Sequence, residues 1–273
     1  MPHVRSFPLS AAKGGLTIVC STLLAGSLMA PAGAALRHQT TTTPATIAPV
    51  QAVAQAGSST NSPSDTSAVS DTVVAAFRNG KIGAVITAYK GPSTTSGIQG
   101  VVKNHKNVYG RAVFVVLGEE GDFYKVKLPL RPNGNVGYVK KSDVSTFRNP
   151  FRIVISLSEK KLTAYRGSQT LLTTTVAVGK SGAPTPTGEF FTVDLVSTRK
   201  KNSPYGPYAI GISGFSNVYQ TFGGGDGRIG IHGTNEPAKL GTAVSSGCVR
   251  LSNDAITKLA KTLYLGTPVS IQA

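Results

Sequence analysis

A mainly β fold is predicted for this 273-residue chain, as a small antiparallel barrel followed by a second β-rich block with few helices. Three observations predict it. Short runs rich in β-branched and aromatic residues recur from Ala84 onward, and turns containing glycine, proline or asparagine separate them. Near the C-terminus, Ala255 to Leu263 has the cap and the length of a dependable helix.

The chain opens on a segment that reads as an export signal over residues 1–34. Arg5 and Lys13 supply positive charge, an apolar stretch runs from Leu16 to Met29, and Pro31-Ala32-Gly33-Ala34 offers small residues for cleavage after Ala34. That stretch is short for a membrane span, which needs about 20 residues. A retained signal acting as an anchor stays open as the alternative. Residues 35–72 are Thr, Ser, Ala, Pro, Gln and Gly with almost no charge, a composition that cannot bury enough apolar surface to offset its ordering entropy. They are expected to form a flexible linker with a root-mean-square span on the order of 30–35 Å.

Ordered sequence is expected from Val73. Strands are predicted at Ala84–Tyr89, Val113–Leu117, Phe123–Leu128 and Val136–Val139, with turns at Gly118–Asp122 and Pro132-Asn133-Gly134. About five short strands in some 70 residues suit a small antiparallel barrel. The order of these strands and turns from Ala84 to Phe147 resembles bacterial SH3-like domains, which implies such a domain over residues 73–148. After Asn149-Pro150, strands are predicted at Ile153–Leu157, Lys161–Tyr165 and Leu171–Val178. Ser252-Asn253-Asp254 caps the helix, Gly266-Thr267-Pro268 stops it, and Val269–Ile271 closes the chain as a strand.

Twenty-eight Lys and Arg stand against 12 Asp and Glu, a formal charge of +16. Such a charge favours polyanionic surroundings or is simply a cationic, soluble surface. Nucleic acid is excluded as a partner, because the basic residues are dispersed and no aromatic-plus-glycine RNA-binding motif interrupts them. A membrane enters only through an uncleaved signal.

Only Cys20 and Cys248 occur, and Cys20 lies inside the signal. An exported protein left with one cysteine has an intermolecular disulfide or a reactive thiol. Of the four histidines, His3 lies in the signal, His38 in the linker and His105 between lysines in a loop of the small domain, so His232 is the partner by elimination. A thiol needs that partner: the thiolate attacks, a free cysteine has a pKa near ~8.5, and a neighbouring imidazolium lowers it. Gly233 and Gly247 flank the two residues, where a missing β-carbon lets substrate approach. Gly247 also permits a turn that aims the N–H groups of Gly247 and Cys248 at a developing oxyanion. One histidine and one cysteine are too few ligands for a zinc site, and no phosphate loop is present, so neither metal nor cofactor is expected. Gly223 to Gly227 is read as a turn at the mouth of the site. Ser203 to Tyr208 is read as a surface loop, with a lid over the cleft as the alternative.

His232-Gly233-Thr234-Asn235 followed by Ser245-Ser246-Gly247-Cys248-Val249-Arg250-Leu251 resembles the signature of the L,D-transpeptidases of bacterial cell walls. Val178-Gly179-Lys180, Thr185-Pro186-Thr187-Gly188, Pro204 to Tyr208, Gly223-Gly224-Gly225 and Gly266 to Val269 also match. The resemblance implies a β-rich catalytic domain over residues 149–273. In it, Cys248 attacks a peptidoglycan stem at the bond between its third residue and D-alanine, with His232 as base. An amine of a second stem then resolves the thioester into a three-to-three cross-link. Gly233, Thr234, Ser245, Ser246, Gly247 and Arg250 match positions that bind substrate or stabilise the oxyanion, Arg250 being equally suited to a structural salt bridge. Ser246 departs from the family, in which many members carry histidine there, so any role for a second histidine is absent. Stem peptides are the implied partners, with anionic wall polymers beside them, and the implied location is the cell wall or beyond the cell. Two alternatives remain: a carboxypeptidase that resolves the same thioester with water, and a non-catalytic wall-binding protein.

Overall fold

The computed structural model describes residues 71–104, 111–200 and 202–273. The signal expected over 1–34, the expected linker apart from its last two residues, and His105 lie outside them. Seven strands come first: β1 (Thr72–Phe77), β2 (Val85–Tyr89), β3 (Ile98–Lys103), β4 (Val113–Glu120), β5 (Phe123–Lys127), β6 (Val136–Lys140) and β7 (Val144–Asn149). They form one sheet in the order β3-β2-β6-β5-β4-β1-β7, with every neighbouring pair antiparallel.

The strands predicted individually are β2, β4, β5 and β6; β1, β3 and β7 were not among them, and exposed and polar residues blur the patterns of β3 and β7. The turn expected over Gly118–Asp122 also narrows. β4 continues through Gly118 to Glu120 by means of a bulge between Val116 and Gly118, and the chain reverses only at Gly121-Asp122. Alternation gives this sheet two apolar faces. Ala75, Phe77, Ile86, Phe114, Val126 and Val139 close its own core, while Val74, Val113 and Val115 point the other way.

The second block comprises β8 (Phe151–Ser156), β9 (Lys161–Arg166), β10 (Gln169–Thr175), β11 (Val178–Gly179), β12 (Gly188–Ser197), β13 (Tyr208–Phe215), β14 (Arg228–His232), β15 (Ala243–Ser245), β16 (Val249–Arg250), helix α1 (Asn253–Thr262) and β17 (Pro268–Gln272). Eight of these strands form a mixed sheet in the order β10-β9-β8-β17-β12-β13-β14-β16, and β11 pairs with β15 separately. The single run predicted over Leu171–Val178 is therefore two strands in different sheets. Helix α1 begins where expected: the Ser252 hydroxyl accepts the Ala255 N–H at 3.2 Å, and Asp254 sits in the first turn. Its stripe of Ala255, Ile256, Leu259 and Ala260 packs into a core with Ile210, Ile212, Ile229, Ile231, Val249 and Leu251.

The two sheets meet along β12. Phe190 and Leu195 face the core beneath α1, while Phe191 and Val193 pack against Val74, Val113 and Val115 of the first sheet. Phe191-Thr192-Val193-Asp194-Leu195 alternates apolar and polar residues, yet the polar ones, Thr192 and Asp194, are buried too, and Asp is a residue that strands usually avoid.

Candidate active site

β14 and β16 run side by side in parallel, with Ile231 opposite Val249 and His232 opposite Arg250. The Leu251 N–H donates to the His232 carbonyl at 2.8 Å and locks this register. Ile229, Ile231 and Val249 point into the core, so alternation turns His232, and Cys248 just before β16, toward the opposite face. The register thus brings together a histidine and a cysteine sixteen positions apart in the chain. Both are buried, His232 to 1 % and Cys248 to 4 % exposure.

The histidine is held in one tautomer. Its Nδ1 lies 2.6 Å from the Gly233 carbonyl oxygen, which only accepts, so Nδ1 carries the proton. Nε2 therefore presents its lone pair. That atom is buried and has no hydrogen-bond partner among the described residues. An imidazole held this way is set to take a proton and give it back.

Cys248 sits on a turn braced by hydroxyls. Ser245, fully buried, donates from Oγ to the Cys248 carbonyl at 2.5 Å and accepts the Gly247 N–H at 3.1 Å. Thr185 Oγ1 accepts the Gly179 N–H at 2.9 Å and donates to the Gly247 carbonyl at 2.8 Å. Gly247 has φ +116°, a conformation that side chains with a β-carbon rarely adopt. The turn is tight, as expected, but the Gly247 N–H points at Ser245 in this structure rather than toward an incoming oxyanion.

Gly233 also has a different reason from the one expected. A β-carbon there would lie 2.4 Å from Asn253 Oδ1 and 3.0 Å from the Gly206 Cα, so chain packing, rather than substrate, requires the glycine. The loop carrying Gly206 brings Tyr205 against His232, with ring centroids 4.9 Å apart. Ser203 to Tyr208, expected as a plain surface loop, is instead packed over the base. Gly223 to Gly225 forms a turn closed by reciprocal hydrogen bonds between Phe222 and Gly225, at the tip of the β13–β14 hairpin.

The remaining expected residues divide in two. Thr234 is buried: its N–H donates to Asn253 Oδ1 at 2.9 Å, and its Oγ1 accepts the Glu236 N–H at 2.9 Å. Arg250 donates from Nη1 to Glu236 Oε2 at 3.0 Å, so the structural alternative for this residue is the one observed. Lys239 beside Glu236 holds that carboxyl below the usual carboxylate range, with the Arg250 charge adding to the effect. Ser246 is half-buried. Thr185, Tyr205, Glu236 and Asn253 carry site geometry that residue type alone did not single out. The Thr185-Pro186-Thr187-Gly188 and Pro204 to Tyr208 motifs marked Thr185 and Tyr205 in advance, Asn253 was read only as part of a helix cap, and nothing marked Glu236. Among the described residues, no group of three or more His, Cys, Asp or Glu is placed to hold a metal ion.

Residues 150–271 match the family model of the L,D-transpeptidase catalytic domain, called YkuD. The Bacillus subtilis protein YkuD, which carries an L,D-transpeptidase name, is 36 % identical over 122 residues, covering 45 % of this chain and 66 % of that one. YqjB of the same organism, similarly named, is 43 % identical over 104 residues, or 35 % of this chain and 56 % of its own length. The chain thus spans just under two thirds of the YkuD relative. A solved L,D-transpeptidase from Mycobacterium smegmatis aligns over 71 % of this chain and 99 % of that one, at 16 % identity and a TM-score of 0.37. That superposition is too loose to carry an argument.

Proposed function

From the match of residues 150–271 to the L,D-transpeptidase catalytic-domain family, we propose that this protein is a peptidoglycan L,D-transpeptidase acting through a thioester on Cys248. The observation that carries the reading is the His232 tautomer: Nδ1–H is committed to Gly233, and the buried Nε2 is left as base on the strand beside Cys248.

Nε2 takes the thiol proton, and Sγ attacks the carbonyl joining the third stem residue to D-alanine. The C–N bond breaks, the imidazolium returns the proton to the leaving amine, and the third residue remains as a thioester. An amine of a second stem attacks that thioester and loses its proton to Nε2. The C–S bond breaks, and the thiol is restored by the same proton. No cofactor is called for.

The chain would act outside the cell, delivered by the segment over residues 1–34, with an SH3-like domain over 73–148 beside the catalytic one. Its surplus of basic residues suits an anionic wall. Hydrolysis of the thioester, a carboxypeptidase activity, is the second outcome of the same chemistry.

Intact mass before and after exposure to a carbapenem tests the reading. The native protein is expected to gain one adduct and Cys248→Ala none. Incubation with a tetrapeptide donor and an amine acceptor should release D-alanine and form cross-linked product. A native protein that forms no adduct and turns over no stem would sink the proposal. Release of D-alanine without cross-linked product would move it to the carboxypeptidase.

A further inference from the structure

The first sheet grips the catalytic block at a second place, away from the apolar seam on β12. In the turn between β5 and β6, Arg131 donates from Nη1 to the Ser216 carbonyl at 3.0 Å. Its Nη2 donates to the carbonyls of Tyr219 at 2.9 Å and Asp226 at 3.1 Å. Its guanidinium also stands 4.8 Å from the Phe215 ring centroid. Two residues on, Asn133 pairs with the Phe215 backbone in both directions: Nδ2 donates to the carbonyl at 2.9 Å, and Oδ1 accepts the N–H at 2.8 Å. From the other side of the junction, Arg228 Nη2 donates to the Pro129 carbonyl at 3.5 Å.

All these bonds converge on one end of the β13–β14 hairpin. That is where its ladder is irregular, with a register shift between Gly211 and Phe215. Strand pairing alone leaves such an end loosely specified. The catalytic pair lies directly beyond it along β14. Ile229 places its Cδ1 3.1 Å from where a β-carbon on Gly247 would stand, so it forms the floor of the nucleophile turn. Ile231 pairs with Val249, and His232 ends the strand.

We propose that Arg131 is a positioning residue for the catalytic pair. From the first sheet it clamps the end of the β13–β14 hairpin, and through Ile229 it sets the turn that holds Cys248 relative to His232. This rests on the acyltransferase reading. It makes the first sheet part of the catalytic unit, whatever else that sheet binds. Planar donors in a fixed fork are what the site uses, since three carbonyls from three parts of one loop converge on one guanidinium.

The test compares the full native chain with Arg131→Ala and Arg131→Lys. Three quantities are measured: kcat and KM for a tetrapeptide donor, the pH dependence of Cys248 alkylation by iodoacetamide, and thermal melting. Arg131→Ala is expected to lose roughly tenfold in kcat with KM little changed, as small displacements of reacting groups do, and to shift the alkylation profile along the pH axis while folded. Arg131→Lys keeps the charge but not the fork, and should fall nearly as far. A profile superimposable on the native one, with unchanged kcat, would overturn the proposal, as would full rescue by lysine. Should Arg131→Ala fail to fold, Asn133→Ala cuts the same clamp more gently and should shift the profile in the same direction; no shift there also overturns it. Absence of donor turnover by the native protein counts against the acyltransferase reading instead, and the alkylation profile then decides the clamp by itself.

Discussion

His232 and Cys248 stand on neighbouring segments and are held by different means. His232 ends a regular strand, fixed by ladder pairing with Ala209 and Arg250 and by the close packing of Gly233 against Gly206 and Asn253. Cys248 ends a turn in which two hydroxyls, Ser245 and Thr185, hold the backbone through four hydrogen bonds. The backbone ladder is insensitive to most side-chain changes but intolerant of added bulk at its contact points. The turn is the reverse: it tolerates little loss of polar groups, because a buried donor left without its acceptor carries its whole desolvation penalty.

Changes that attack each kind of support separately break or sharpen this contrast. The largest effect is expected from Gly233→Ala. The new methyl group meets Asn253 Oδ1 and the Gly206 backbone, so stability should fall by about 3 kcal/mol, read as a lower melting temperature, with turnover lost. A variant that melts like the native protein would show that the loop carrying Tyr205 yields freely. Next is Ser245→Ala, which leaves the Gly247 N–H buried without its partner. Stability should drop by about 2 kcal/mol, and carbapenem acylation should slow at least as markedly as stability falls. Unchanged acylation would mean that the turn keeps its shape without the brace.

Thr185→Val removes a hydroxyl at nearly constant volume and should cost about 1–2 kcal/mol, with Thr185→Ser restoring most of it in denaturant melts. Equal melts for the two variants would assign the position to packing alone.

The smallest effect concerns pH. Glu236 is held below the usual carboxylate range, first by Lys239 and then by Arg250, so it binds a proton more readily in the unfolded chain than in the folded one. Its contribution is therefore complete above the unfolded pKa of about 4.3 and is lost as pH falls through the lower folded value. Native protein should melt a few degrees above Glu236→Gln at neutral pH, and the gap should close on acidification below about 4. A gap independent of pH would show that charge is not what the pair contributes.

Features set by neighbouring residues were legible in the sequence. They include the Ser252 cap, the turn at Pro132 to Gly134, and strands whose apolar residues alternate, such as β8 and β9. The pairing of His232 with Cys248 was legible too, because counting left one candidate of each kind. β1, β3, β7 and β12 were not singled out. The edge strands β3 and β7 expose residues that mimic a loop, and β12 buries Thr192 and Asp194, polar residues that strands usually avoid or keep in water.

By itself, then, the sequence determined that one cysteine and one histidine are the candidates for the chemistry, the mainly β character of the chain, and the need for glycine at 247, since each follows from local stereochemistry or from composition. Tertiary structure decided the rest. It committed Nδ1 of His232 to the Gly233 carbonyl, turned the Gly247 N–H to Ser245, assigned Arg250 to Glu236 and brought Arg131 to the hairpin beneath the nucleophile. The Arg250 and Arg131 contacts join groups far apart in the chain, and the two local ones, at His232 and Gly247, depend on side-chain orientations that the surrounding packing selects. A polar group has several acceptable partners, and only packing selects which one stands within 3 Å or so.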